Sequence, residues 1–238
     1  ANNAFGVSAL QSNTTGNSNC AFGGSDGVFG STAQSNTTGS NNVAMGCGAL
    51  YTNISGGNNT ALGHQALVNN ISSNITAVGY QSLYAHTTGT SNTAVGFQSF
   101  YSMTFGQNNT ALGHQAGNGL TTGINCTYIG YQSGPNVTAS GASYNTAVGT
   151  IALTTVSSGA YNTAIGYSSL AGNTTGIENT GVGQATLYAN VIGAYNTAVG
   201  SGAAYRNLGS NNVAVGQNAL FNSTASGLTA VGYQALYS

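Results

Sequence analysis

The amino-acid sequence predicts an all-β fold, a parallel β-solenoid (β-roll) of about 14 coils with a period near 17 residues. Three observations carry this reading. Close copies of Asn92-Thr93-Ala94-Val95-Gly96 return along the whole chain, ending in Gly6, Gly23, Gly46, Gly63, Gly79, Gly96, Gly113, Gly130, Gly149, Gly166, Gly183, Gly200, Gly216 and Gly232. The intervals are 17, 23, 17, 16, 17, 17, 17, 19, 17, 17, 17, 16 and 16 residues. A unit this short cannot hold a strand-helix-strand crossover, and glycine at this density destabilises helix.

Within each unit the elements follow in a fixed order. Four residues before the motif glycine stands asparagine, in Asn2, Asn19, Asn42, Asn59, Asn92, Asn109, Asn145, Asn162, Asn179, Asn196 and Asn212. The strand then runs Thr-Ala-Val or a close variant up to the glycine. The fourth residue after it is usually leucine, as in Leu50, Leu83 and Leu187, and the next is often aromatic, as in Tyr84, Tyr101 and Tyr205. Polar clusters such as Asn13-Thr14-Thr15-Gly16 and Asn173-Thr174-Thr175-Gly176 then signal a turn. Each unit therefore reads strand, turn, short strand, turn. Fourteen coils at the interstrand spacing of about 4.8 Å make a rod roughly 65 Å long.

Stacking turns columns into ladders. Asn42, Asn59, Asn92, Asn109, Asn145, Asn162, Asn179, Asn196 and Asn212 are candidates for an amide ladder hydrogen-bonded along the axis, or equally for residues that open a turn. Gln65, Gln81, Gln98, Gln115 and Gln132 form a second such column. Alternation along the strand sends Thr and Val to one side and Asn, Ala and Gly to the other. The β-branched and leucine columns are expected to fill the coil, and the Ala and Gly columns to admit the opposite wall or, as the favoured case, a second chain.

Departures from the period are local. The 23-residue interval holds a loop insertion at 24–29, and the 19-residue interval an irregular turn at 134–143 around Pro135, the sole proline. Neither suggests a boundary, so residues 1–238 read as a single solenoid domain. Both ends read as ordinary repeat rather than as polar caps, which leads to the expectation that the stack continues, covalently or end to end.

Composition limits the function classes. One basic and two acidic residues among 238 leave hydration to Asn, Ser, Thr, Gln and Tyr. There is no basic patch for nucleic acid, and no apolar run approaches the roughly 20 residues that cross a bilayer. Cys20, Cys47 and Cys126 form no C-x-x-C pair and read as small buried or half-buried substitutions rather than a disulfide. His64 and His114 share a column three coils apart, about 14 Å, too far for a metal site within one chain. His86 falls in a turn and is expected to face water. Asp26 and Glu178 are too distant to act as a carboxylate pair, so no catalysis, cofactor or metal is expected.

Eleven N-x-S/T sequons occur, at Asn13, Asn36, Asn53, Asn58, Asn70, Asn74, Asn108, Asn125, Asn136, Asn173 and Asn222. Several lie about seven residues after the motif glycine, on a turn where a glycan is expected to be accessible.

The recurring motif, as in Asn196-Thr197-Ala198-Val199-Gly200 and Ala230-Val231-Gly232-Tyr233-Gln234-Ala235-Leu236, resembles the head repeats of trimeric autotransporter adhesins and, equally, the repeat-rich shafts of phage tail fibres. The resemblance covers nearly the whole chain. It implies a left-handed, commonly threefold β-roll displayed outside a cell or on a virion. The period here is longer than that of the head repeat, and no stretch of these residues is expected to form a stalk, membrane anchor or chaperone domain. The functional expectation is an extracellular structural fibre subunit whose partners are copies of itself, end to end and side by side. The alternatives are an adhesin or tail-fibre segment whose tyrosine column stacks on glycans, and an ice-binding solenoid using the ladder Thr60, Thr76, Thr93 and Thr110.

Overall fold

A computed structural model describes residues 1–25, 27, 30–136 and 138–237. It is all-β, a parallel β-solenoid that repeats with the motif glycine. Half of the 24–29 insertion, Asp26, Val28 and Phe29, lies outside the described residues, as does Val137 of the 134–143 turn. The chain divides into two compact units, Ala1–Thr122 and Gly123–Ser238.

In the first unit the strands Asn3–Phe5, Cys20–Phe22, Val43–Met45, Thr60–Leu62, Thr76–Val78, Thr93–Val95 and Thr110–Leu112 lie side by side, all parallel. Register never slips: Ala44 faces Ala61, which faces Ala77, then Ala94, then Ala111. The second unit repeats the arrangement with Thr127–Ile129, Thr146–Val148, Thr163–Ile165, Thr180–Val182, Thr197–Val199, Val213–Val215 and Thr229–Val231.

The motif glycine ends each strand because the chain turns there through a backbone region closed to other residues. Gly96 has φ +136°, and a Cβ on it would lie 2.3 Å from the Gly113 carbonyl oxygen of the next coil. The following segment differs from the short strand expected. Alternate residues are left-handed, Gln81 at φ 53° and Leu83 at φ 50° in one coil, Gln98 at 51° and Phe100 at 48° in the next. Each costs about 1–2 kcal/mol relative to a right-handed residue, and the alternation curls the chain too tightly for a regular strand. Neighbouring coils still pair through this wall, with Leu83 N–H donating to Ser99 O at 3.0 Å and Ala85 N–H to Tyr101 O at 3.1 Å.

The two faces of the strand are reversed from the expectation. Alanine points into the coil and is fully buried at Ala61, Ala77, Ala94 and Ala147, whereas the Thr and Val columns on either side face outward and are half-buried or exposed. The leucine column is inside as expected, with Leu50, Leu67, Leu83, Leu153 and Leu187 buried. The reason is the narrowness of the coil. At Gly181, which replaces alanine, an added Cβ would lie 2.7 Å from both Ser169 Oγ and Thr186 Oγ1. The close neighbour of the alanine column is therefore the opposite wall of the same solenoid, and that of the motif-glycine column is the glycine of the next coil, not a second chain.

Candidate functional site: asparagine columns and the outward face

The buried asparagines do two jobs at once. Each Nδ2 donates across its own coil to the carbonyl of the turn that closes it: Asn42 to Gly56 at 2.9 Å, Asn59 to Ser72 at 2.8 Å, Asn92 to Gly106 at 2.7 Å, Asn145 to Gly159 at 2.8 Å. Asn162, Asn179, Asn196 and Asn212 reach Gly176, Gly193, Gly209 and Ala225 in the same way. Each Oδ1 accepts the backbone N–H of the next coil, as from Asn59 to Asn42, Asn109 to Asn92, Asn162 to Asn145, Asn179 to Asn162 and Asn212 to Asn196. Direct amide-to-amide bonds join Asn109 to Asn92 at 3.1 Å, Asn162 to Asn145 at 3.2 Å, Asn179 to Asn162 at 3.2 Å and Asn196 to Asn179 at 3.0 Å. A buried amide is costly unless bonded, and here both of its ends are engaged.

A second inward column, which sequence reading missed, lies seven residues after the motif glycine, or thirteen after it in the long coil that follows Gly23. Asn13, Asn36, Asn53, Asn70 and Asn173 donate to the same turn carbonyls, at Gly16, Gly39, Gly56, Ser72 and Gly176, at 2.9–3.0 Å. Asn36 also donates to Asn13 Oδ1, and Asn53 to Asn36 Oδ1, each at 2.9 Å. The carbonyl of Gly56 or Gly176 thus accepts two amides. The sequence held a signal for this: in three coils the column carries Met103, Leu120 and Val156, all fully buried.

These positions correct the expectation of accessible sequons on that turn. Asn36, Asn53, Asn70 and Asn173 are completely buried and Asn13 is half-buried, because the turn points its asparagine inward to close the coil. The other sequons are exposed. Asn58, Asn74, Asn108 and Asn125 occupy a left-handed turn position just before the inward column, with φ of 56–62°, and Asn58 Nδ2 donates to Asn74 Oδ1 at 3.1 Å on the outside. Asn136 and Asn222 are on loops.

His86 is a second correction. It does not face water but is fully buried, taking the place of asparagine in the second column. Nδ1 lies 3.0 Å from Asn70 Oδ1 and Nε2 lies 3.3 Å from Asn92 Nδ2. Only a neutral ring protonated on Nδ1 can donate to the first and accept from the second, so the imidazole substitutes for an amide. Burial lowers its pKa from 6.5 to about 4.

Cys126 replaces asparagine in the first column and is buried, its Sγ 3.1 Å from Ala142 O, and burial raises its thiol pKa. Cys20 is exposed and Cys47 half-buried, and none of the three is in a disulfide. Tyr128, in the alanine column, is fully buried, and burial holds its hydroxyl well above the usual range. It fits because its coil is the long one: a Cβ on Gly134 would lie 2.5 Å from the Tyr128 ring, so Gly134 opens the irregular turn around it.

In the glutamine column, where Gln65 is buried and the rest half-buried, Gln81 donates to Gln65 at 2.7 Å, Gln98 to Gln81 at 3.0 Å and Gln115 to Gln98 at 3.2 Å. Aromatic side chains stack along the axis. His64, Tyr80, Phe97 and His114 form one pile with centroids 5.0–5.5 Å apart, and Tyr188, Tyr205, Phe221 and Tyr237 another at 5.0–5.1 Å. Their planes lie within about 12° of parallel, so ring faces cover one another and only edges and the outermost faces meet solvent. Among the described residues no group of three His, Cys, Asp or Glu could hold a metal ion, and no helix is long and apolar enough to cross a membrane.

The fold and its hydrogen-bonded columns define a β-solenoid repeat protein. No family model, curated protein or solved structure matches the chain.

Proposed function

We propose that this chain is a structural segment of an extracellular fibre, its partners being further copies of itself. The observation that carries the reading is the inward asparagine column, which runs unbroken from Asn145 through Asn162, Asn179 and Asn196 to Asn212. Each coil closes itself and grips the next through the same residue, as in Asn145, Asn162, Asn179 and Asn196. Tension along the stack is then shared by backbone pairing on two walls and by the buried amides of the coils that have asparagine in this column, which suits a load-bearing element. The nearly uncharged composition suits close packing among like chains. The resemblance to surface-displayed repeats supplies the location outside the cell or virion.

An attachment role drew on a tyrosine column able to stack on sugars. The rings are stacked on each other instead, which leaves few open faces for that purpose, and the structural reading is the better supported.

The test is electron microscopy of the purified chain over a wide concentration range. Fibres that lengthen with concentration and carry a regular axial repeat are expected. Short, monodisperse particles at every concentration would refute the proposal.

A further inference from the structure

A further outward column, five residues before the motif glycine, is interrupted by a charge. In the second unit it reads Tyr144, Tyr161, Glu178, Tyr195 and Asn211, all left-handed with φ of 54–60°. The same backbone bond places successive members: Tyr161 N–H donates to Ser143 O at 3.2 Å, Glu178 N–H to Ala160 O at 3.1 Å and Tyr195 N–H to Ile177 O at 3.0 Å. Tyr144 and Tyr161 stack with centroids 4.7 Å apart and planes 5° from parallel, so side chains here follow the coil spacing. Glu178 then breaks the pile. Among the described residues Tyr161 has a ring neighbour on one face only and Tyr195 on neither, and the two are 56% and 51% exposed. Glu178 is exposed, is the one acidic residue of the unit, and makes no ion pair with Arg206, the only basic residue of the chain.

We infer that Tyr161, Glu178 and Tyr195 form a binding site for a trimethylammonium group, the cationic end of choline and its esters. The inference goes beyond the fibre reading and does not depend on it.

Spacing selects the size of the ligand. Two coil spacings of about 4.8 Å put the Tyr161 and Tyr195 positions about 9.6 Å apart. A nitrogen midway between their rings lies about 4.8 Å from each, inside the roughly 6 Å over which an aromatic face attracts a cation. Its methyl carbons, about 1.5 Å from the nitrogen, come to about 3.5–4.0 Å from the rings, where dispersion between carbons is best. A metal ion or a bare ammonium leaves that radius empty and touches neither wall.

Charge selects the same ligand. Glutamate is shorter than tyrosine and starts from an equivalent backbone position, so its carboxylate forms the floor of the slot while the two phenol rings rise past it on either side. A cation in the slot meets two ring faces and one opposite charge. A methylated ammonium has no N–H to satisfy and is weakly hydrated, so entering between two apolar walls costs it less than it costs a compact, strongly hydrated ammonium such as lysine's.

The experiment follows the choline methyl protons by saturation-transfer NMR with the full chain at constant ionic strength, beside dimethylbutanol, the uncharged isostere. Choline is expected to bind with a dissociation constant on the order of 1 mM, and the isostere not to saturate. Glu178→Gln removes the charge and Tyr195→Leu removes one wall, and each should weaken binding about three- to fivefold. Glu178→Tyr continues the pile through the slot and should abolish binding. Tyr167→Leu, at an exposed tyrosine of another column, should leave it unchanged. All three positions are exposed, so the parent's circular dichroism and melting temperature are expected in every variant.

Cosedimentation with phosphatidylcholine vesicles but not phosphatidylglycerol vesicles, lost in Glu178→Tyr, assigns the site to a lipid headgroup. Choline binding without cosedimentation assigns it to a dissolved solute. Absence of a saturable choline signal in the parent overturns the inference, as does equal binding of the isostere or an undiminished signal in Glu178→Tyr. None of these results bears on fibre length, which microscopy reads separately.

Discussion

Replacing His86 isolates the cost of burying an ionisable ring among amides. The ring is neutral in the folded chain and is wedged between Asn70 Oδ1 and Asn92 Nδ2. Protonation would set the new Nε2–H against the donor amide of Asn92. With the pKa lowered from 6.5 to about 4, the unfolded chain binds the proton more readily, so stability is complete above pH 6.5. It falls as pH drops from 6.5 to about 4 and levels off below that. The difference of about 2.5 pKa units corresponds to roughly 3 kcal/mol at 1.36 kcal/mol per unit. Urea denaturation followed by circular dichroism from pH 7.5 to 3.5 reads this directly. The chain suits the assay, since the only other histidines and acids are His64, His114, Asp26 and Glu178. His86→Asn restores the column's usual residue and is expected to flatten the profile while matching the parent near pH 7. An equal acid slope in His86→Asn would show that the buried imidazole is not the cause.

Three further outcomes are expected. Asn162→Ala removes the bonds to Gly176 O and Asn145 Oδ1 and orphans the Asn179 N–H; a loss of about 3 kcal/mol in denaturant stability is expected from the buried unpaired donor and the cavity. Gly96→Ala forces a Cβ to within 2.3 Å of Gly113 O at φ +136°, and a similar loss of about 3 kcal/mol should appear as a lower melting temperature. If the chain is made in a host that glycosylates N-x-S/T sites, peptide mapping of the folded product should find glycans only among Asn58, Asn74, Asn108, Asn125, Asn136 and Asn222. Occupancy of Asn53 or Asn173 in folded material would contradict the inward column.

The period was legible because a solenoid makes each coil solve the same problem. A motif glycine recurs wherever the chain must enter a mirror region of backbone space, and that requirement writes itself into sequence. The first asparagine column was equally visible, although its double duty, closing one coil and gripping the next, could be seen only once the coils were stacked. The second column was hidden among turn residues. Asparagine is common in turns for local reasons, so composition does not show whether the amide points in or out, and the sequons there looked accessible. His86 was misplaced for the same reason: a polar residue in a turn reads as solvated until its partners on neighbouring coils are known.

The sequence by itself determined the all-β repeat, its spacing, the strand position and the near absence of charge, all of which follow from local backbone rules and simple counting. Only the tertiary structure decided which side of a three-residue strand is the interior. Alternation states that Thr and Val share a side opposite Ala. Hydrophobicity then favours Val inside, but the coil is so narrow that its walls leave room for little more than a methyl group. Closeness of the walls, as at Gly181 against Ser169 and Thr186, outweighs the greater apolar area of valine and leaves the Thr and Val columns outside.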